Sequence, residues 1–196
     1  MILLNPYAVS SAVQEALILS IEIKLSREPE ILQQYFDLRG QCYREELGLS
    51  DFDGSEEILD LQAKILLATK GGRCIGGARI SPAMFLPWQI SELKLQRGTS
   101  CIWERFVFDP ELRSVELIRD FCAELIDVSR ASGYRHAVVL SSLRNARFYR
   151  QCHSALGVEF EIHKHLPHFG GETFAGLEHY LSVSHLQRRQ ALLLAA

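Results

Sequence analysis

Long apolar runs are missing from this sequence. Nothing approaches the ~20 residues that cross a bilayer, so no helical membrane span is expected. Paired cysteines are missing too. Cys42, Cys74, Cys101, Cys122 and Cys152 are odd in number, stand singly inside apolar patterns and form no Cys-x-x-Cys. That usage points to buried thiols in a reducing, cytosolic setting. There is no excess of positive charge: 21 Lys and Arg face 24 Asp and Glu, for a net charge of -3. Bulk attraction to nucleic acid is therefore not expected. The opening Met1-Ile2-Leu3-Leu4-Asn5-Pro6 lacks the basic start of a signal peptide. No Gly-x-Ser-x-Gly elbow occurs, and the glycines from Gly71 to Gly77 lack the Lys-Ser/Thr of a P-loop. Repeats, low-complexity runs and linkers are also absent, so residues 1–196 read as one domain, with a lead-in over 1–19 and a tail over 184–196.

What is present is ordinary for a globular chain: 47% hydrophobic and 23% charged residues over 196 positions, enough for a well-covered core. A short helix is expected over 10–19. Residues 20–25 alternate as a first strand. Glu28-Pro29 opens a helix with an apolar stripe of Ile31, Tyr35, Leu38 and Cys42, widened by Leu32 and Phe36, ending near Gly48. Residues 61–69 and 74–80 read as strands joined by a turn at Lys70-Gly71-Gly72-Arg73. Gly76 and Gly77 inside the second strand signal a bulge or a close approach. Residues 81–100 read as a long connection. Ser114 caps a helix with the stripe Leu117, Ile118, Phe121, Cys122, Leu125 and Ile126, which Gly133 ends. An interior strand over 136–140, a helix over 145–156, and two strands near 158–162 and 178–183 follow, then a helical tail. This order predicts an α/β (α+β) layered fold around a mixed sheet.

The stretch Cys101-Ile102-Trp103-Glu104-Arg105-Phe106-Val107-Phe108 reads as a buried strand that Asp109-Pro110 ends. Two charges stand inside it. A carboxylate buried without a partner costs several kcal/mol, so Glu104 is either paired or used. Period-two alternation points Glu104 and Phe106 to one face and Arg105 and Val107 to the other.

Several motifs carry a family resemblance. Arg39, Tyr43 and Leu47-Gly48 keep the spacing of an Arg, an aromatic and a Leu-Gly pair. Glu57 and Asp60 are two acids three apart, entering a strand. Gly76-Gly77-Ala78-Arg79-Ile80 and Trp103-Glu104 follow. These resemble the acyl-homoserine-lactone synthases and related N-acyl amino acid synthases within the GNAT superfamily of acyltransferases. Leu49 stands where those synthases carry Trp, and Arg105-Phe106 follows Trp103-Glu104 without the family's x-Ser-Arg-Phe. Asn145-Ala146-Arg147-Phe148-Tyr149, with Ala155-Leu156-Gly157-Val158, is similar to a second signature of the superfamily. Its pyrophosphate loop would fall between Asp109 and Leu117, yet that segment holds no glycine.

The resemblance implies a GNAT-like three-layer fold with a mixed central sheet of about seven strands flanked by helices. It implies an N-acyltransferase that moves a fatty acyl group to the amine of a small amino-acid-like acceptor. The donor would be an acyl-phosphopantetheine on acyl-carrier protein, or acyl-CoA, with no tightly bound cofactor. Amide formation from a thioester needs a base for the amine proton, and Glu104 is the candidate, acting directly or through water. A paired structural Glu, bonded to Arg79 or Arg105, is the bland alternative. Arg39, Glu57, Asp60, Arg79 and Arg105 form a candidate ion-pair network over the cleft entrance that would order a covering loop, against simple helix and loop solvation. Tyr43 lines the cofactor side, and Phe106 shares the substrate-binding stretch with Arg105. Arg144, Arg147 and Arg150, beside Asn145 and Tyr149 near a helix start, suit a phosphopantetheine phosphate or an acidic carrier protein, against a solvated basic face. His163, His165 and His168 lack an acid or Cys pattern to complete a metal site, so none is expected. A CoA-dependent acetyltransferase and a catalytically silent acyl-binding domain are the alternative readings.

Overall fold

The computed structural model describes residues 20–169, 174 and 176–187, and the helix expected over 10–19 and the end of the tail lie outside them. Seven strands form one mixed sheet in the order β1-β2-β3-β4-β5-β7-β6. The strands are β1 (Ile21–Leu25), β2 (Lys64–Lys70), β3 (Arg73–Pro82), β4 (Ser100–Phe108), β5 (His136–Ser141), β6 (Glu159–Phe169) and β7 (Glu178–His185). β1 to β4 pair antiparallel; β4 and β5 run parallel, and β7 lies antiparallel between β5 and β6.

The parallel β4–β5 pair requires a crossover, which α4 (Val115–Ala131) supplies. Ser114 caps it by accepting from the Leu117 N–H at 3.1 Å. α1 (Pro29–Leu47) starts at a proline and stops at Gly48, whose φ of 70° is the left-handed stop favoured by glycine. α5 (Leu143–Ala155) follows β5 and takes its cap from Ser142.

Alternation along the strands sorts the core into two layers. Leu66, Ala68, Ile75 and Ala78 pack on Leu117, Phe121 and Leu125 of α4. Their neighbours Ile65, Leu67 and Cys74 pack on Leu32, Tyr35 and Phe36 of α1. Helices therefore cover both faces, giving the expected three layers. A third cluster, with Ile90, Ile102, Val138 and Leu181, sits under the segment before β4.

The Lys70–Arg73 turn is as expected: Gly71 and Gly72 both have positive φ (58° and 78°). In β3 the two glycines mark close approach. A Cβ on Gly76 would lie 2.3 Å from the Phe108 ring, and one on Gly77 would lie 2.7 Å from Leu67 and Tyr35.

Three expectations are corrected. Residues 57–62 do not enter a strand. They form a helical turn, α2 (Ile58–Gln62), because the Asp60 carboxylate turns back to accept the Glu57 backbone N–H at 2.8 Å. The 81–100 connection is partly helical, holding α3 (Pro87–Glu92) and two 3₁₀ turns. β7 runs on to His185 and residues 186–187 are not helical, so the described start of the tail is no helix; the remaining tail lies outside the described residues.

Candidate active site

The site is built around a break in β4. Arg105 has φ +57°, the left-handed region, which costs an ordinary residue roughly 1–2 kcal/mol. Gly77 pairs with Val107 and Arg79 with Glu104, so Arg105 and Phe106 together oppose the single residue Ala78. This is a β-bulge. The Tyr35 hydroxyl fixes it by donating to the Arg105 carbonyl at 2.8 Å. The bulge also corrects the face assignment: Glu104 and Phe106 do not share a face. Glu104 and Arg105 both turn toward α1 and α2, where they meet Arg79 and Glu57. Phe106 turns the other way, against Phe121 and Tyr149 at 5.3 Å each.

β4 and β5 part at the same place. Their pairing runs from Ser100↔His136 to Trp103↔Val139 and goes no further. Past that point a cavity of about 290 Å³ opens, lined by Glu104, Phe106, Val139, Ser141, Tyr149 and His153 among others. A volume near the ~300 Å³ lower bound of small-molecule sites suits an extended chain rather than a bulky ring system.

Glu104 stands where the strands part, its side chain 23% exposed. Oε1 accepts from the Ser81 hydroxyl at 2.7 Å and from Arg79 Nε at 3.1 Å. Oε2 is 3.0 Å from Arg79 Nη2, which nevertheless makes no aligned hydrogen bond. Both carboxylate oxygens are thus within ion-pair reach of Arg79, and Glu104 as a residue lines the cavity.

Arg39, Glu57, Asp60, Arg79 and Arg105 are brought together in one ion-pair network beside Glu104, with Arg105 also lining the cavity. Arg39, Asp60 and Arg79 are fully buried. Asp60 accepts from Arg39 Nη1 and Nη2 at 3.0 Å each and from Arg79 Nη1 at 2.9 Å. Arg39 also donates to the carbonyls of Gly54 and Ser55, tying down the 50–57 loop. Glu57 bridges Arg79 and Arg105 at 2.6 Å each. Burial works to raise the Asp60 carboxyl, but hydrogen bonds from Arg39 and the Glu57 N–H, with the charges of Arg39 and Arg79, carry it below its ordinary value. Glu57 is lowered in the same way: the Arg105 and Arg79 bonds outweigh burial. Tyr43 is buried at the cavity wall, 4.8 Å from the Phe52 ring; the Arg105 guanidinium lies over Phe52 and Phe174.

Of the expected donor-side residues, Asn145 and Tyr149 line the cavity, while Arg144 and Arg147 are exposed and do not. The cavity thiols are poor nucleophiles. Burial pushes Cys42 up to about 11, and Cys122 is raised by donating its thiol proton to Cys152, together with burial. His163 and His165 share a face with rings 5.8 Å apart. Among the described residues no group of three His, Cys, Asp or Glu could hold a metal ion, and the His168 side chain lies outside them.

Sequence reasoning missed Tyr35, Ser81, Ser141 and His153. Tyr35 precedes Arg39 by one helical turn, and Ser81 follows Arg79 at strand spacing, so both shared a face with a residue already singled out. His153 stands four residues after Tyr149 on the buried side of α5.

No protein-family model matches the chain, and a search of curated proteins finds no match. Solved structures do match. The AHL synthase LasI superposes with a TM-score of 0.64 at 16% identity, covering 86% of this chain and 91% of its own. BjaI, a CoA-dependent acyl-homoserine lactone synthase solved with SAM and isopentyl-CoA, gives 0.62 at 19% identity, over 82% and 78%. An N-acetyltransferase from Staphylococcus aureus Mu50 gives 0.59 at 14% identity, over 86% and 99%. The chain thus has the GNAT-like fold that acyl-homoserine-lactone synthases and N-acetyltransferases share, as the resemblance implied.

Proposed function

We propose that this protein is an N-acyltransferase that moves a fatty acyl group from a phosphopantetheine thioester to the amine of a small amino-acid-like acceptor. The observation that carries this reading is Glu104, part-exposed on the cavity wall where β4 and β5 separate. The thioester lies in the gap, its chain along the wall of Phe106, Val139 and Tyr149. Past Trp103 the β4 edge has no β5 partner, so backbone N–H groups there can meet the thioester oxygen as negative charge develops. Glu104 takes the amine proton, directly or through one water, as the nitrogen attacks the carbonyl carbon. The C–S bond then breaks and the thiolate leaves, taking up the proton that Glu104 holds. The buried Arg39–Asp60–Arg79 network positions Glu104 by holding Arg79 behind it.

An acyl-carrier protein is favoured over free CoA as donor. The segment before α4 consumes its own N–H groups. Glu111 N–H donates to Asp109 Oδ1, those of Leu112 and Arg113 donate to the Asp109 carbonyl, and that of Leu117 goes to Ser114. Few donors are left there for a pyrophosphate. Exposed Arg144 and Arg147 suit an acidic carrier surface. Five buried, reduced cysteines support a reducing cytosol as its location.

The test is mass spectrometry of lipid extracts from cells expressing the wild type or Glu104→Gln, followed by turnover with purified acyl-carrier and CoA thioesters. The expected result is an N-acylated amine that falls about 10²–10⁴-fold in the variant. Full product from Glu104→Gln would remove Glu104 from the mechanism. Product from CoA alone would make this a CoA-dependent transferase.

A further inference from the structure

The two outer edges of the sheet are built differently. β6 forms one of them. Its pairing with β7 breaks at an irregularity between His163 and Pro167, and Pro167 has no N–H to offer. Bulges and prolines are common protection for an exposed edge. β1 forms the other edge, and it has neither. All five residues, Ile21 to Leu25, pair with β2 in one unbroken register. Among the described residues, no element pairs with the outer side of β1.

The open side has a definite pattern. The Ser26 N–H reaches β2, donating to the Ile65 carbonyl at 3.1 Å. Along an antiparallel strand the backbone groups of successive residues point to alternate sides. Glu22 and Lys24 therefore also turn theirs toward β2, while Ile21, Ile23 and Leu25 turn theirs outward. The side chains alternate as well. Ile21, Ile23 and Leu25 share the α4 face, where Ile23 packs against the core and Ile21 and Leu25 stay 44% exposed. Glu22 and Lys24 share the other face, 3.1 Å apart and about half-exposed. Such a strand is complementary to itself. Two copies running antiparallel about a two-fold axis at Ile23 set Ile21 opposite the second copy's Leu25, and Glu22 opposite the second copy's Lys24. About six backbone hydrogen bonds can form. Apolar side chains then meet on one face, and each acid meets a base on the other. An axis at Glu22 or at Lys24 would instead put like charges directly opposite each other, so the charges select one register.

We propose that β1 is the interface of a symmetric homodimer, in which the β1 strands of two copies pair antiparallel about Ile23 and join the two seven-stranded sheets into one. The occupant of this edge is a second copy of the chain because the strand's own charges and apolar residues supply its complement. A five-residue edge buries less than the ~1,600 Å² of a standard interface, so the dimer is of the weak, concentration-dependent kind, with a Kd of roughly 1–100 µM. β2 and β3 lie between β1 and the β4 cavity, so each copy keeps its own site. The dimer does not depend on the transferase reading.

The test is sedimentation velocity of the full chain from about 1 to 500 µM, across which monomer should give way to dimer. Lys24→Glu and Glu22→Lys each turn both acid–base pairs of the interface into like-charge pairs, and each should weaken the dimer about tenfold or more. The double variant Glu22→Lys/Lys24→Glu restores opposite charges across the axis and should return the Kd to within about threefold of wild type. All three variants should melt with the wild type, because the substituted side chains are exposed. Recovery in the double variant would support the stated register, since a general loss of solubility or folding does not reverse on adding a second substitution. A monomer at every concentration overturns the proposal. So does a dimer whose Kd ignores both single substitutions, which would put the interface elsewhere. Amide exchange separates a second copy from any other cover. The Ile23 N–H should gain protection as concentration rises through the Kd. Protection that is the same at every concentration would mean that residues 1–19 or another part of the same chain cover this edge, and would also overturn the proposal.

Discussion

Asp60→Asn is the sharpest probe of what holds the site in place. It keeps the shape of the side chain and removes one charge from a fully buried cluster. Asp60 accepts from Arg39, Arg79 and the backbone N–H of Glu57. Arg79 retains Glu57 and Glu104 in the variant, but Arg39 is left with carbonyls of the 50–57 loop. Breaking a buried pair while stranding its partner costs about 3–5 kcal/mol. That is a large part of a typical ~5–15 kcal/mol stability. For a chain of this size it lowers the melting temperature by about 6–20 °C. Urea unfolding followed by far-UV circular dichroism measures the loss as a shift in midpoint at constant slope. The pH dependence is a second readout. The carboxyls of Asp60 and Glu57 are lowered in the folded state. Their contribution is therefore complete above the unfolded values of about 4 and drains away as pH falls through the lower folded values. Asp60→Asn should flatten the midpoint curve below pH ~4. A loss under about 1 kcal/mol, with an acid limb as steep as wild type, would show that the network is dispensable and refute the argument.

Two further variants test the frame of the site. Gly76→Ala would place a Cβ 2.3 Å from the Phe108 ring and should destabilise by about 1–3 kcal/mol, whereas Gly98→Ala, with nothing within 4 Å, should unfold at the wild-type midpoint; equal midpoints would refute the close approach. Tyr35→Phe removes the donor to the Arg105 carbonyl. It should cost about 1 kcal/mol of stability in urea and lower kcat with KM little changed, and an unaltered kcat would show that the bulge holds without Tyr35.

The layers were legible in the sequence because local rules and the final fold agree there. Glu28-Pro29 and Gly48 bracket α1, Ser114 caps α4, and Gly71-Gly72 turns β2 into β3, each by chemistry confined to a few residues. The 57–62 turn was misread because Ile58, Leu59 and Leu61 look like the start of a strand. In fact Ile58 and Leu61 are 78% and 64% exposed, and the turn is set by the Asp60 carboxylate folding back on Glu57. Arg39 reads as a solvated helix charge until its partners, 15 to 21 residues further on, are in place.

The face of Glu104 shows why the site itself was harder to read than the sheet. Period-two reasoning assumes that each residue adds one pleat. Arg105 adds chain without one, because its left-handed φ puts it and Phe106 opposite the single Ala78. Arg105 is a bulky residue in that conformation, and its own side chain gives no local reason for it. The stabilising bond comes from Tyr35, 70 residues away. This one irregularity has two consequences for the chemistry. It sets Glu104 and Arg105 side by side on the face of the buried charges, where Arg79 and Glu57 can pair with them. It also sends Phe106 to the opposite face, where an apolar wall is needed. A regular strand would have put Glu104 and Phe106 together and left either a charge in the apolar wall or a ring in the ion-pair network. The bulge is thus what allows one strand to present the proposed base and the proposed acyl slot at the same point.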